Sequence, residues 1–169
     1  MVTNWDDLEP KNFKIEQERV NAEYRLQIAV INHLTGRVKT GKDWVRGTPA
    51  FAGLFVTHIY QGRSKEDGFF LKQLGVVAGV ADLLLIWRGG FGFVELKRQE
   101  GVQSTVQKKF QGFCHSVGVK YAVCRSVREV HDTLTGWGLT PTHGAIKEPD
   151  LRKDSEKRRA AFDEFDKRI

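Results

Sequence analysis

The sequence predicts a mixed α/β domain, a small central sheet with helices on both sides. Three observations carry that reading. Apolar residues recur at three- and four-residue intervals in stretches near both ends of the chain. Short aromatic and β-branched runs lie between them. Two strongly apolar runs, residues 82–87 and 91–97, are separated by Arg88-Gly89-Gly90, which reads as a β-hairpin.

The elements follow in order. Residues 1–14 form a lead-in. Glu16 to Leu34 reads as a helix whose apolar stripe is Val20, Tyr24, Ile28, Ile31 and Leu34, closed by Gly36. Residues 37–49 hold two glycines and a proline and read as a loop. Phe51 to Tyr60 reads as a strand, and Ser64 to Leu74 as a short helix ended by Gly75. After the hairpin, Ser104-Thr-Val-Gln107 matches a capping box, and Val106, Phe110, Phe113, Cys114 and Val117 continue at helical spacing up to Gly118. Val119 to Cys124 is a strand, and Ser126-Val-Arg-Glu129, a second capping box, opens a last helix running to Gly136. A main domain is therefore expected over residues 15–140, with a charged tail over 141–169 whose final stretch, Asp150 to Ile169, reads as a solvated helix.

Composition narrows the function classes. The 169 residues suit one domain of ordinary size, and 40% hydrophobic content is that of a soluble globular chain rather than a disordered one. A formal charge of +6 favours a polyanionic partner but does not name one. Cys114 and Cys124 make neither a disulfide framework nor a zinc motif, and each lies in an apolar pattern, as buried thiols do. The acidic first ten residues do not read as a signal peptide, and no run of about eighteen apolar residues predicts a membrane span.

The chemistry concentrates in the hairpin. Alternation along a strand puts Glu95 and Lys97 on one face. A Gly89-Gly90 loop would set Asp82 opposite Lys97, and an Arg88-Gly89 loop would set it opposite Glu95; either register gathers all three on one face. Charges inside an apolar hairpin must be paired or bind a metal. Two converging carboxylates make a hard-oxygen site suited to Mg²⁺ or Mn²⁺, and a neighbouring lysine can orient water or offset charge on a phosphate. A buried ion pair that only fixes the hairpin is the alternative use of the same residues.

Taken in order, Gly79-Val-Ala-Asp82-Leu-Leu-Leu-Ile, Phe93-Val-Glu95-Leu-Lys97, Ser104-x-x-Gln107-x-x-Phe110 and Gly118-Val-Lys-Tyr-Ala-Val resemble the VRR-NUC family of the PD-(D/E)xK nuclease superfamily. Gly62-Arg63-Ser64 and Leu71-Lys72-Gln73-Leu74-Gly75 are similar to its upstream segment, so the resemblance spans residues 23–134. Many members have proline where Ala81 precedes the aspartate here.

The resemblance implies a restriction-endonuclease-like core and residue roles to match. Asp82 and Glu95 would be metal ligands with the main-chain carbonyl of Leu96, Lys97 the catalytic lysine, Gln107 the glutamine of the following helix, and Glu23 a supporting glutamate from the first helix. Gln107 is equally explained as the capping partner of Ser104, and Glu23 as a solvated helix residue. His58, Arg63, Lys72, Arg98 and Lys108 are candidate phosphate contacts.

The activity implied is Mg²⁺-dependent (or Mn²⁺-dependent) hydrolysis of DNA phosphodiesters, of the kind found in stand-alone phage and bacterial members. Those resemble structure-selective enzymes, including homodimers that resolve Holliday junctions. Branched DNA, a homodimer, no membrane, and the cytoplasm of a bacterium or phage-infected cell are the corresponding expectations. Flap, nick or restriction-type cleavage, and a non-catalytic nucleic-acid-binding module on the same fold, are the alternatives.

Overall fold

The structure, a computed structural model, describes residues 22–60 and 71–151. The expected start of the first helix, most of residues 64–74, Arg63 and the distal tail lie outside the described residues. Helix α1 spans Ala22–Thr35 and stops at Gly36, whose φ of 71° suits glycine. A hairpin follows, β1 (Arg37–Thr40) against β2 (Asp43–Arg46). Strand β3 (Phe55–His58), the hairpin strands β4 (Leu83–Trp87) and β5 (Gly90–Leu96), and β6 (Lys120–Cys124) form one sheet in chain order. The first two pairings are antiparallel and the β5–β6 pairing is parallel. Helix α2 (Thr105–Ser116) makes the crossover that a parallel pair requires, and α3 (Val127–Gly136) follows β6.

Strand alternation sends side chains to two layers. Leu83, Leu85, Val94, Leu96 and Cys124 meet Leu26, Val30 and Leu34 of α1 and Val127, Val130 and Leu134 of α3. On the other face Tyr121, Phe93 and Val123 pack with Cys114 and Phe110 of α2. The sheet is thus covered on both sides, as the nearly continuous apolar runs of β4 and β5 require. Both cysteines are buried free thiols, and burial pushes the Cys124 thiol up to about 11.

Four local expectations change. The buried stripe of α1 is Leu26, Val30 and Leu34, while Ile28 is exposed. The helix carries two adjacent apolar tracks, and packing against the sheet chose one. Residues 37–46 form a hairpin rather than a loop, with Gly41 at φ 63° in its turn. On α2, Cys114 is buried, but Val106, Phe113 and Val117 are exposed. Their spacing is helical, but the face turned to the sheet is the one carrying Phe110 and Cys114. At α3, Ser126 accepts from the Glu129 N–H, but the Glu129 carboxylate reaches past the cap to the N–H of Arg125. Glu148 completes that terminus by accepting from the N–H groups of Val127 and Arg128, a carboxylate at the positive end of a helix. The segment carrying it lies on the main core through Ile146 and Leu151.

Candidate active site

The β4–β5 register decides between the two turns left open by the sequence. Trp87 pairs with Gly90 and Leu83 with Val94, so the loop is Arg88-Gly89, with Gly89 at φ 91°. One step further, Asp82 faces Glu95. The Asp82 side chain crosses to β5, where Oδ2 accepts from the backbone N–H of Leu96 at 2.7 Å. Its own carbonyl accepts from the N–H of Ile59 at 2.8 Å and lies 3.0 Å from Nδ1 of His58. Two strands therefore hold Asp82 in place.

The approach to Asp82 depends on Gly79. Its φ is 84°, and a Cβ there would lie 2.7 Å from the backbone carbonyl carbon of Val106. Only glycine lets the segment leading to Asp82 pass this close to the first turn of α2.

Glu95 is fully buried. Its Oε1 takes the Lys97 ammonium at 2.5 Å and the side-chain amide of Gln107. Its Oε2 has no hydrogen-bond partner among the described residues. Burial pushes the Glu95 carboxyl up to about 7; the Lys97 hydrogen bond opposes this, and the Asp82 charge adds to it. Asp82 is likewise raised, by burial first, against the Leu96 N–H and the charges of Lys97 and His58, with Glu23 raising it further. Burial disfavours the Lys97 ammonium, but the hydrogen bond it donates to Glu95 and the charges of Glu95, Glu23 and Asp82 outweigh it, so its pKa is raised. A lysine so placed is an ammonium at neutral pH.

Glu23 arrives from the first turn of α1, in the opposite layer. With Tyr24, Gln27, Asp82 and Leu96 it lines an open cleft of about 190 Å³. Glu23, Asp82, Glu95, Lys97 and Gln107 are thus gathered at one end of the sheet. His58 adjoins them through Asp82. Lys72, Arg98 and Lys108 are exposed, and Arg63 lies outside the described residues.

Other residues bear on the site without having stood out in the sequence. Gln27 follows Glu23 by one helical turn, which is the spacing that could have flagged it. The buried Tyr121 has its hydroxyl raised by burial and then by the Glu95 charge, and it accepts from Gln103 at 3.3 Å. The Arg125 guanidinium donates to the carbonyls of Gln99 and Gly101, each at 3.2 Å, and so braces the loop after Lys97. Neither Tyr121 nor Arg125 has a local sequence signal, because each meets the site across the sheet.

A hard divalent cation fits this donor set. All the donors are oxygens, the Asp82 and Glu95 charges oppose one another, and one buried carboxylate oxygen is unpartnered among the described residues. Among the described residues no three His, Cys, Asp or Glu side chains close into a cage. Mg²⁺ does not need one, since it is commonly held by one or two carboxylates and keeps several waters.

No protein-family model matches this sequence, and no curated protein does. Among solved structures the chain is similar to a VRR_NUC domain protein, with a TM-score of 0.49 and 19% identity, over 70% of this chain and 88% of that one. No helix among the described residues is long and apolar enough to cross a membrane.

Proposed function

We propose that this chain is a metal-dependent nuclease that hydrolyses DNA phosphodiester bonds at the Asp82–Glu95–Lys97 centre. The observation that carries the reading is Glu95. A fully buried carboxylate with one oxygen bound to an ammonium and the other unpartnered is costly to keep. A purely structural pair would be expected to satisfy both oxygens.

Asp82 and Glu95 would hold Mg²⁺ or Mn²⁺, with the Leu96 main-chain carbonyl beside them and Glu23 available from α1. When bound, such an ion supplies positive charge to phosphate oxygens and lowers the pKa of water. Lys97 would orient the attacking water and offset negative charge building on the phosphate. Gln107 holds the Glu95 carboxylate in one orientation. His58, Lys72, Arg98 and Lys108, with Arg63, would meet the DNA backbone, as would suit a net charge of +6.

The finer reading is a structure-selective enzyme of the Holliday-junction-resolving kind, working as a homodimer. Symmetric cutting of a four-way junction needs two centres. Val106, Phe113 and Val117, exposed on α2, are apolar surface suited to a second copy.

The test is cleavage of labelled four-way junction, flap, single-stranded and duplex DNA with Mg²⁺, beside Glu95→Ala and Lys97→Ala. Loss of two or more orders of magnitude in both variants is the expected result, given the usual weight of electrostatic groups at such centres. Cutting of other forms with the same sensitivity would keep the centre and change the substrate. Failure of the folded wild type to cut any form, with Mg²⁺ or Mn²⁺, would overturn the reading in favour of a binding module.

A further inference from the structure

The β1–β2 hairpin takes no part in the site described above. Its register pairs Arg37 with Arg46, Val38 with Val45, Lys39 with Trp44 and Thr40 with Asp43. Opposed residues share a face and successive ones alternate. Arg37, Lys39, Trp44 and Arg46 therefore stand on one face, while both valines and the acidic Asp43 stand on the other. Lys42 sits in the turn. All four residues of β2 are exposed, and Trp44 keeps 48% of its surface in solvent. The Arg37 guanidinium carbon lies 5.5 Å from the centre of the Trp44 ring.

An indole left half in water gains little from its own fold, so its apolar surface is available to a partner. The partner is constrained by charge. Lys39 is exposed beside the indole and Lys42 is exposed in the adjoining turn, so a second copy of this end of the hairpin would meet it with like charge. A polyanion with flat, stackable rings matches both features, which is the pattern of single-strand binding surfaces. Position fits as well. α1 begins with Glu23 at the cleft and ends at the hairpin, twelve residues or roughly 18 Å along its axis.

We propose that the face carrying Lys39 and Trp44, with Lys42 in the turn, binds single-stranded nucleic acid, the two lysines on phosphates and Trp44 stacked on a base. This deepens the nuclease reading and takes its biological sense from it: unpaired DNA would be gripped about 18 Å from the cutting centre, by the rise of the α1 helix.

The test measures binding without cleavage, by anisotropy of fluorescein-labelled oligothymidylate titrated with the full chain in EDTA. Trp44→Ala should weaken binding about tenfold, and Trp44→Phe should restore most of it. The double variant Lys39→Gln, Lys42→Gln should reduce the slope of log affinity against log salt by about 1.4, the share of two phosphate contacts on a single strand. Unchanged circular dichroism in the lysine variant separates lost contacts from a lost hairpin, even where Trp44→Ala unfolds it.

Wild-type affinity in all of these folded variants would overturn the proposal. So would tighter binding through the same face to phosphatidylserine vesicles than to the oligonucleotide. The two readings fail separately. If cleavage needs Glu95 and Lys97 while binding ignores the hairpin, the centre stands and this surface falls. If the hairpin variants lose binding while the wild type cuts nothing, the surface stands and the nuclease reading falls.

Discussion

Gln107 holds Glu95 through one end of its amide and closes its own helix through the other. Its Nε2 donates to Oε1 of Glu95, and its Oε1 accepts from the backbone N–H of Ser104 at 2.8 Å. The Ser104 hydroxyl in turn accepts from the Gln107 N–H at 3.3 Å. The capping box thus fixes the amide in the orientation that presents its N–H groups to the buried carboxylate. The capping contact and the contact with Glu95 are one arrangement.

Two substitutions separate these contributions. Gln107→Ala should cost about 1 kcal/mol of stability through the weakened cap and lower cleavage about tenfold to a hundredfold. Gln107→Glu keeps the acceptor for Ser104 but sets a carboxylate against Glu95, so cleavage should fall at least as far while the cap survives. Urea unfolding paired with cleavage rates checks both. Full activity in Gln107→Glu would show that the amide's hold on Glu95 does not matter.

The Glu95 carboxyl links pH to stability and, on the proposed function, to metal. Its folded value of about 7 lies above its ordinary 4.5. The associated stability is fully present below about pH 4.5 and is lost as pH rises through about 7. In EDTA this group should therefore make the protein less stable near pH 8 than near pH 5.5, on the order of 2 kcal/mol. Mg²⁺ favours ionised carboxylates, so the melting temperature it adds should be larger near pH 8 than near pH 5.5. Thermal scans with and without Mg²⁺ at both values check this, and an equal or reversed increment would contradict it.

Gly79→Ala should be among the most damaging single changes outside the charged residues. It asks a side chain to adopt φ 84° and to enter the space of the Val106 backbone. A cost of about 2–4 kcal/mol is expected, with reduced cleavage because Asp82 ends the same segment. Chemical denaturation measures the first effect. A stable, fully active Gly79→Ala protein would mean that the close approach is not needed.

A cluster of histidines should weaken the fold at acid pH. His33 Nε2 lies 3.0 Å from Nδ1 of His131, and the His33 and His143 rings stand 5.9 Å apart. Burial, then His131 and His143, lower the His33 pKa from 6.5 to about 4, with Glu148 opposing. Burial lowers His131 too, with Asp132 opposing and His143 and Arg128 assisting. A depressed histidine gives stability that is present above its unfolded value of 6.5 and lost as pH falls through about 4. The ring is only partly shielded, so His33 should contribute about 1–2 kcal/mol. His33→Gln should flatten the decline of the urea midpoint between about pH 6.5 and 4. An unchanged slope would remove His33 from the acid transition.

The chain's local patterns settled a great deal alone. Capping residues placed the starts of α2 and α3, glycines placed several ends, and apolar runs bounded by Gly-Gly placed β4 and β5 to within a residue or two. These signals are local because caps, turns and strand alternation act over a few residues. The pairing of Glu95 with Lys97 was legible for the same reason.

Other features were decided by tertiary structure. Two turn centres were compatible with Arg88-Gly89-Gly90, and pairing across the strands selected the one that sets Asp82 against Glu95. The choice of Leu26, Val30 and Leu34 over Ile28, and the exposure of Phe113, depend on which face each helix turns to the sheet. The hairpin at residues 37–46 has the glycines and charges of a loop, and only the pairing of Val38 with Val45 across it makes it a sheet. Tyr121, Arg125 and Glu23 reach the site from separate elements, so no spacing along the chain marks them. Local sequence determines which elements form; which of their residues meet depends on register and burial, and those are properties of the assembled layers.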